Sequence, residues 1–295
     1  MMRIFMTGAS SDIGEKIVRC LLQEGHQVIC LSRQKGFAIK GAIIIRGDLQ
    51  NPSKFKKDLQ GIDMIIHDAA ITHSDHTCQY EKVNFEATKT LISLAEYYGV
   101  KRFVYLSTRA IGAGGGGYAL SKLLAEKSLR ASHLDWVILR LAEVYGTTKD
   151  EGINSLINMV LRKRIVPIVG NGEYELAPVH VDDVAEVVLG VTRHKNIGKR
   201  LYTICGPKTY SLNEVVSLLC RLYSLDRIVV HVPLFLIRIA AYLKRFLPLP
   251  FNITSDQILR LQIPKSSDFS SAEEDLGFSP IRFESWLREK GHVIV

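Results

Sequence analysis

The sequence lacks paired cysteines, long apolar runs and dense blocks of one charge, and each absence excludes a class of protein. Its five cysteines are scattered without C-x-x-C spacing, which indicates neither a disulfide framework nor a zinc site. No apolar run reaches the ~20 residues that span a bilayer, and no cleavable signal pattern is present. We therefore expect a cytoplasmic protein that holds no metal ion and has no membrane span.

The positive charge of the chain is spread along its length. The net charge of +8 comes with no nucleic-acid reader motif and no platform of aromatic and basic residues, so we expect no nucleic-acid partner. The segment 233–250 combines Leu, Ile and Phe with basic residues. It is predicted to be a core helix with a solvated basic edge, and a helix lying on a membrane surface is the alternative.

Short apolar runs alternate with amphipathic stretches through the first half of the chain. Strands are predicted at 3–6, 27–31, 42–45, 64–67, 103–106 and 136–141, and helices at 12–24, 80–98 and 118–132. This alternation predicts an α/β fold: a Rossmann-type doubly wound parallel sheet with helices on both faces.

The regular alternation of apolar runs and amphipathic stretches ends after residue 146. Helices are predicted at 152–164, 182–192, 212–223 and 234–247, with a Pro/Gly-rich stretch at 166–172. We expect residues 1–146 to form the sheet domain and residues 147–295 a smaller lobe that closes over the carboxyl ends of the strands. Segments such as 176–204 are candidates to return to the sheet.

The turn after the first predicted strand has the composition of a dinucleotide site. Residues 7–14 read Thr-Gly-Ala-Ser-Ser-Asp-Ile-Gly and open the first helix, where a pyrophosphate rests on backbone N–H groups. Gly8 permits the tight turn and Gly14 permits close packing of helix on strand. The middle glycine of the motif is replaced by Ser11 or Asp12, depending on register. The residues predicted to bind cofactor here are Gly8, Ser10, Ser11, Asp12, Ile13 and Gly14.

The end of the second predicted strand favours NADP over NAD. Arg33 stands where an acidic residue would accept hydrogen bonds from the adenosine ribose of NAD. A guanidinium beside Ser32 suits a 2′-phosphate, to which it can donate two charge-assisted hydrogen bonds. The further residues predicted to contact the cofactor are Asp48, Leu49, Ala69 and Ala70.

Tyr118 and Lys122 lie one helical turn apart, shortly after the hydroxyl pair Ser107 and Thr108 at a strand end. A phenol with a pKa of about 10 needs a nearby cation to release its proton near neutral pH, and Lys122 can supply one. A hydroxyl on the strand end can hold the substrate oxygen. Alone, a Tyr-x-x-x-Lys pair also arises by chance on an amphipathic helix, so its meaning depends on the sheet and the cofactor turn.

In combination, these motifs resemble the extended short-chain dehydrogenase/reductases, the NAD(P)-dependent epimerase/dehydratase group. The resemblance also runs through 67–70, Asn84, 140–146, 169–172, 179–185 and 275–280. It implies that Tyr118 is the catalytic acid/base and Thr108 the hydroxyl that binds the reacting oxygen, with Ser107 as the alternative. It further implies that Lys122 holds the nicotinamide ribose and lowers the Tyr118 pKa, so both residues also contact the cofactor.

Four departures from the family pattern narrow the expected chemistry. Sugar-nucleotide dehydratases have Asp-Glu after the Thr, whereas here Arg109 and Ala110 follow, so dehydration is disfavoured. Sugar-nucleotide enzymes usually have Asn at the position of Glu143, and an Arg where this chain reads Glu-Tyr-Glu-Leu-Ala-Pro at 173–178. A diphosphate would therefore meet carboxylates. The fourth departure is a short connection rich in glycine at 112–117. Its composition predicts a mobile loop over the nicotinamide. The short connection also resembles the atypical branch of the family.

The function predicted from these residues is NADP-dependent hydride transfer at a hydroxyl or keto carbon of a small-molecule substrate. Two alternatives remain open: a sugar-nucleotide 4-epimerase or reductase that uses NAD, and a non-catalytic NADP-binding scaffold or sensor. By analogy with the family, the helices at 80–98 and 118–132 are candidates for a homodimer interface.

Overall fold

The central feature of the computed structural model is a seven-stranded parallel sheet. The structure describes residues 1–74, 76–194, 196–237 and 254–294. The strands are β1 (Arg3–Thr7), β2 (Gln27–Ser32), β3 (Ile43–Arg46), β4 (Met64–His67), β5 (Arg102–Thr108), β6 (Asp135–Leu141), β7 (Val144–Tyr145), β8 (Ile165–Val169), β9 (Glu175–Leu176), β10 (Val179–His180), β11 (Arg200–Ile204), β12 (Tyr210–Ser211) and β13 (Ile228–Val232). The order in the main sheet is β11-β6-β5-β4-β1-β2-β3, so the strand order reverses between β1 and β4.

Helices cover both faces of this sheet, which confirms the predicted fold class. They are α1 (Asp12–Gln23), α2 (Thr77–Tyr80), α3 (Ala87–Tyr97), α4 (Gly116–Arg130), α5 (Gly152–Arg162), α6 (Val181–Arg193), α7 (Leu212–Leu222), α8 (Ser255–Gln262), α9 (Ser270–Leu276) and α10 (Phe283–Ile294). Helices α1 and α6 bury apolar side chains against one face, and α3 and α4 against the other. Because both faces are covered, β4 is buried at all four residues, as a central parallel strand requires.

All six strands predicted for the first half of the chain are present, each within two residues of its expected ends. The predicted helix at 80–98 is different, because a π-helix (Glu81–Glu86) separates α2 from α3. Within it, the Asn84 side chain is buried and bonds both backbone groups of Ile71, at 2.8 and 2.9 Å. Wide π-turns of this kind are frequent at functional sites.

A separate apolar cluster, apart from the two faces of the sheet, surrounds Tyr145, Phe283 and Leu287. The stretch predicted as Pro/Gly-rich at 166–172 begins with strand β8, which pairs in parallel with β13. Pro167 is exposed, and because this sheet has only two strands, β8 is an edge strand, where proline is tolerated.

Most of the predicted helix at 234–247, and of the segment 233–250, lies outside the described residues. Within the described ranges, no helix is both long enough and apolar enough to cross a bilayer. The same ranges contain no group of three or more His, Cys, Asp or Glu residues placed to hold a metal ion.

Candidate active site

The turn between β1 and α1 lies at the point where the strand order reverses. Gly8 has φ of +80°, and a Cβ on it would lie 2.6 Å from the backbone N of Ala69 in the loop after β4. Gly14 contacts the carbonyl group of Gly8, and a Cβ there would lie 2.9 Å from Cα of Ala9. The two loops therefore meet backbone to backbone at the carboxyl edge of the sheet. Doubly wound sheets bind ligands at this position.

Ser11 caps α1 and connects the two loops. Its Oγ accepts from the backbone N–H of Gly14 at 2.8 Å and donates to Asp68 Oδ2 at 2.7 Å. Burial raises the pKa of Asp68, while the hydrogen bond from Ser11 lowers it. Because the Ser11 hydroxyl is already bonded on both sides, the N–H groups at the start of α1 are the main donors left for a phosphate.

Asp12 turns its side chain away from the predicted cofactor position. Its Oδ2 accepts from the backbone N–H groups of Thr148 and Lys149, at 2.7 and 2.9 Å. The carboxylate therefore holds the loop after β7 against the start of α1. What Asp12 can offer a phosphate is its backbone N–H, together with that of half-buried Ile13, while Ser10 is exposed beside them.

The predicted adenosine side of the cofactor site lies at the ends of β2 and β3. The Arg33 side chain is 67% exposed, with its Nη1 3.6 Å from Asp48 Oδ2. Ser32 is buried and its Oγ accepts from the backbone N–H of Gln34. Leu49 is buried in the core beneath. An exposed ion pair of this length is weak, so Arg33 can turn toward a ligand phosphate at little cost.

Tyr118 lies in the first turn of α4 and is only 8% exposed. Its ring packs edge to face on Tyr80, with 6.1 Å between centroids, and the guanidinium carbon of Arg260 lies 4.4 Å from its centroid. Its backbone N–H donates to Asp256 Oδ1 at 3.1 Å. Burial raises the pKa of Tyr118, Arg260 lowers it, and Asp68 and Asp256 raise it further, with a net rise. The phenol is therefore protonated at neutral pH.

Lys122 is buried one turn later on α4 and is bound to strand β5. Its Nζ donates to the carbonyl oxygen of Leu106 at 2.7 Å and lies 4.2 Å from the centroid of the Tyr105 ring. Burial lowers the pKa of Lys122 to about 8, against the opposing charges of Asp68 and Glu126. In this arrangement the ammonium group is held beside the end of the strand.

Ser107 and Thr108 point to opposite faces of β5, as neighbouring residues of a strand do. The Ser107 hydroxyl donates to Glu126 Oε1 at 2.6 Å, and Glu126 also accepts from Arg140 at 2.7 Å. The half-buried Thr108 hydroxyl accepts from the backbone N–H of Ala110 at 3.1 Å, which leaves its hydrogen to donate. Of the two candidates, Thr108 is the better placed to bind a substrate oxygen.

Helix α8 supplies two residues to the site that the sequence motifs did not identify, Asp256 and Arg260. The side chain of Arg260 also donates to the carbonyl oxygen of Thr72 at 2.9 Å. One local signal predicts where α8 begins: Thr254 and Gln257 form a capping box at its start. Nothing in the sequence indicates that this helix packs on Tyr118, because the contact joins segments more than a hundred residues apart.

At the glycine run before Tyr118, α8 and the residue after it pack against the start of α4. A Cβ on Gly115 would lie 2.6 Å from Cδ1 of Ile263, and a Cβ on Gly116, whose φ is +81°, would meet the carboxylate of Asp256. The sequence predicts a mobile loop here, whereas the structure shows close packing. The glycines allow α8 and the residue after it to contact the start of α4.

Glu143 lies at the centre of a largely buried ion cluster. Glu143 pairs with Arg109 at 2.7 Å and with Lys265 at 3.6 Å, and accepts from the backbone N–H of Ala177. Burial alone would raise the pKa of Glu143, yet Arg109 and Lys265 hold it below its usual value. Glu143 is thus ionised but neutralised within the protein. The expectation that a diphosphate would meet the free carboxylate of Glu143 is therefore corrected: this carboxylate is paired with Arg109 and Lys265.

The sequence signature of the NAD dependent epimerase/dehydratase family matches residues 4–205. The photosystem II assembly factor Ycf39 of Synechocystis sp. is 25% identical over 308 residues, covering 98% of this chain and 90% of its own. A 4-hydroxy-2-methyl-3-oxo-4-farnesyl-3,4-dihydroquinoline-1-oxide ketoreductase of Stigmatella aurantiaca is 26% identical over 267 residues, covering 82% of this chain and 79% of its own.

Solved structures share the fold over nearly the whole chain. UDP-glucuronic acid 4-epimerase from Bacillus cereus, in complex with UDP-glucuronic acid and NAD, superposes with a TM-score of 0.77 at 21% identity, covering 98% of this chain and 97% of its own. A dTDP-glucose 4,6-dehydratase from Streptomyces venezuelae, with NAD bound, gives 0.76 at 23% identity, covering 99% and 98%. At these identities the similarity shows the fold.

Proposed function

The chain belongs to the NAD-dependent epimerase/dehydratase family, and on that premise we propose that it is an NAD(P)-dependent oxidoreductase acting on a hydroxyl or keto carbon of a small metabolite. The observation that carries the proposal is the buried Tyr118, with Lys122 one turn later, beside the end of β5. A non-catalytic binding protein has no chemical need for this pair. Because Gly8 lies close to Ala69, the two loops form a backbone surface on which the cofactor pyrophosphate would rest.

The proposed reaction divides the work between cofactor and protein. Bound NAD(P)H supplies the hydride to the carbonyl carbon. Tyr118 donates its phenolic proton to the carbonyl oxygen, and the Thr108 hydroxyl donates a hydrogen bond to the same oxygen. Lys122 holds the nicotinamide ribose. Proton transfer by a positioned group such as Tyr118 contributes a rate factor of about 10²–10⁴.

Tyr118 begins in the protonated form, which the reduction of a carbonyl requires. Because burial raises its pKa, Tyr118 is protonated at neutral pH and ready to act as an acid. An epimerase needs the same group to begin as a base. The ketoreductase from Stigmatella aurantiaca provides a precedent for reduction among proteins similar to this chain.

Arg33 supports NADP as the preferred cofactor. We predict that Arg33→Gln raises the Kd for NADPH about tenfold and changes the Kd for NADH by less than about twofold, since only NADPH carries the 2′-phosphate. Fluorescence titration of both nucleotides measures this. Arg19→Gln, at an exposed arginine on α1, is the matched control. Equal losses for the two nucleotides, or no loss for either, would contradict the NADP assignment.

A sugar-nucleotide 4-epimerase is the second candidate, and the shared fold with UDP-glucuronic acid 4-epimerase is the observation that favours it. In the Glu143 cluster two cations, Arg109 and Lys265, pair with one carboxylate, so Glu143 no longer adds a repulsive charge for a diphosphate. Denaturing the purified protein and identifying the released nucleotide separates the two functions. We expect NADP(H), or no retained nucleotide, whereas tightly bound oxidised NAD would favour the epimerase.

The proposed oxidoreductase activity is tested by following NADPH oxidation with a series of small ketones. The first substrates to try have an oxo group on a dihydroquinoline ring, as the name of the Stigmatella aurantiaca ketoreductase specifies, or at C3 of an alkanoate, as that of a similar 2-alkyl-3-oxoalkanoate reductase of Stenotrophomonas maltophilia does. If the protein binds NADPH but oxidises it with none of these substrates, the scaffold alternative gains. The name of Ycf39, an assembly factor, gives that alternative its precedent.

A further inference from the structure

Helix α8 brings an arginine directly onto the face of the proposed acid/base residue. The Arg260 side chain is 16% exposed, and its guanidinium carbon lies 4.4 Å from the centroid of the Tyr118 ring. Its Nη2 donates to the carbonyl oxygen of Thr72, which fixes the guanidinium in this position. Tyr118 is thus enclosed by Tyr80 on one side and a cation on another. A guanidinium held over an aromatic ring is attracted to its face and favours negative charge on it.

We infer that Arg260 is a positioning residue for Tyr118, holding the ring in place and stabilising the phenolate that forms when the proton leaves. The inference rests on the proposed role of Tyr118 and deepens it. The family resemblance gives this electrostatic task to Lys122. In this structure the Lys122 ammonium is bonded to the carbonyl oxygen of Leu106 and lies over the Tyr105 ring.

Asp256 opposes Arg260 at the same ring. Its Oδ1 accepts from the backbone N–H of Tyr118, and its Oδ2 lies 3.2 Å from Nε of Arg260. Within the described part of the chain these two buried atoms, Nε and Oδ2, make no hydrogen bond, so their pairing is electrostatic. One helix therefore presents charges of opposite sign to Tyr118. Their separate removal must shift the ionisation of Tyr118 in opposite directions.

The ionisable groups packed around Tyr118 come from every neighbouring element. They are Asp68 after β4, Tyr80 on α2, Tyr105 on β5, Lys122 on α4, and Asp256 and Arg260 on α8. Of these, Arg260 is the cation with the largest effect on the pKa of Tyr118, and it lowers that pKa. Helix α8 packs directly on α4, and this packing brings the cation to Tyr118.

The test is a titration of Tyr118 itself, without substrate or cofactor. Difluorotyrosine in place of Tyr118, in the full chain, has a phenol of lower pKa than tyrosine, and its two ring fluorines give resonances that shift when the phenol ionises. Against this background Arg260→Met should raise the titration midpoint by about one pKa unit, because a stabilising cation is lost. Arg260→Lys keeps the charge and should stay within about 0.3 unit. Asp256→Asn should lower the midpoint by about half a unit.

Two further variants test the docking of α8 at the glycine run. Gly115→Ala places a Cβ 2.6 Å from both Cδ1 of Ile263 and Cβ of Ala119, which crowds the contact between α8 and the start of α4 and should shift the midpoint in the same direction as Arg260→Met. Gly114→Ala is the matched control, since a Cβ there meets nothing within 4 Å. The remote, exposed Arg193→Met controls for the loss of one positive charge.

Opposite shifts for Arg260→Met and Asp256→Asn, with no shift for Arg193→Met, support the inference. It is overturned if Arg260→Met leaves the midpoint within about 0.3 unit of the parent, or if both variants shift it in the same direction. An unchanged midpoint removes the role of Arg260 and leaves the proposed redox function standing. Failure of every ketone to oxidise NADPH removes that function and leaves the titration result intact.

Discussion

Replacing Tyr118 by phenylalanine is expected to lower kcat for ketone reduction by about 10²–10⁴-fold and to leave the Kd for NADPH within about threefold. The phenyl ring keeps the packing against Tyr80 and Arg260, so the fold around it is preserved. What is lost is the only proton that this position can give to the carbonyl oxygen. The change should therefore fall on the chemical step and spare cofactor binding.

Single-turnover oxidation of bound NADPH separates the chemical step from product release. Tyr202→Phe is a suitable control because Tyr202 is also buried and loses one hydrogen bond, to Asp275, far from the cofactor turn. This control should lose stability by about 1 kcal/mol and keep its turnover. If Tyr118→Phe reduced ketones at the parent rate, the acid/base role would have to be given to another group.

Gly14→Val should abolish cofactor binding, with at least a hundredfold rise in the Kd for NADPH, or about 2.7 kcal/mol. A Cβ on Gly14 would contact the carbonyl oxygen of Gly8 and lie 2.9 Å from Cα of Ala9. These neighbours are backbone atoms, so the turn itself must shift. Gly8 in turn contacts Ala69, and any movement spreads to the loop after β4.

Fluorescence titration and thermal unfolding of Gly14→Val together distinguish a lost site from a lost fold. Valine at Gly114 is the matched control, because that position has open space around it and lies outside the turn. We expect this control to bind NADPH normally. Parent-like affinity in Gly14→Val would mean that the cofactor pyrophosphate does not use this turn.

The sheet could be predicted from the sequence because its signals are local. Continuous apolar runs mark strands buried on both faces, and the glycine-rich turn after β1 marks the edge at which ligands bind. Tyr118 and Lys122 belong to one helix, so their spacing alone places them together. The position of Ser107 and Thr108 at a strand end is likewise a local signal. Only the structure shows that Ser107 donates to Glu126 whereas Thr108 accepts from Ala110.

What the sequence did not reveal depends on contacts between distant segments. The sequence does not show that the Asp12 carboxylate accepts from Thr148 and Lys149, which leaves its backbone N–H for a phosphate. The glycine run suggests mobility until Ile263 is found against it. Arg260 belongs to no recognisable motif, and its guanidinium reaches Tyr118 only through the packing of α8 on α4. In each case the partner lies more than a hundred residues away, beyond the reach of periodicity or spacing.

Strand β11 completes the sheet from outside the first half of the chain. All of β11 pairs with β6, from Val137 to Leu141, and Arg102 at the start of β5 donates to the carbonyl oxygens of Val191 and His194 just before β11. A fragment ending at residue 146 would leave β6 with a free edge, which readily pairs with other chains. During synthesis the sheet therefore stays open until Ile204 has left the ribosome. Any shortened form intended to fold alone must include that residue.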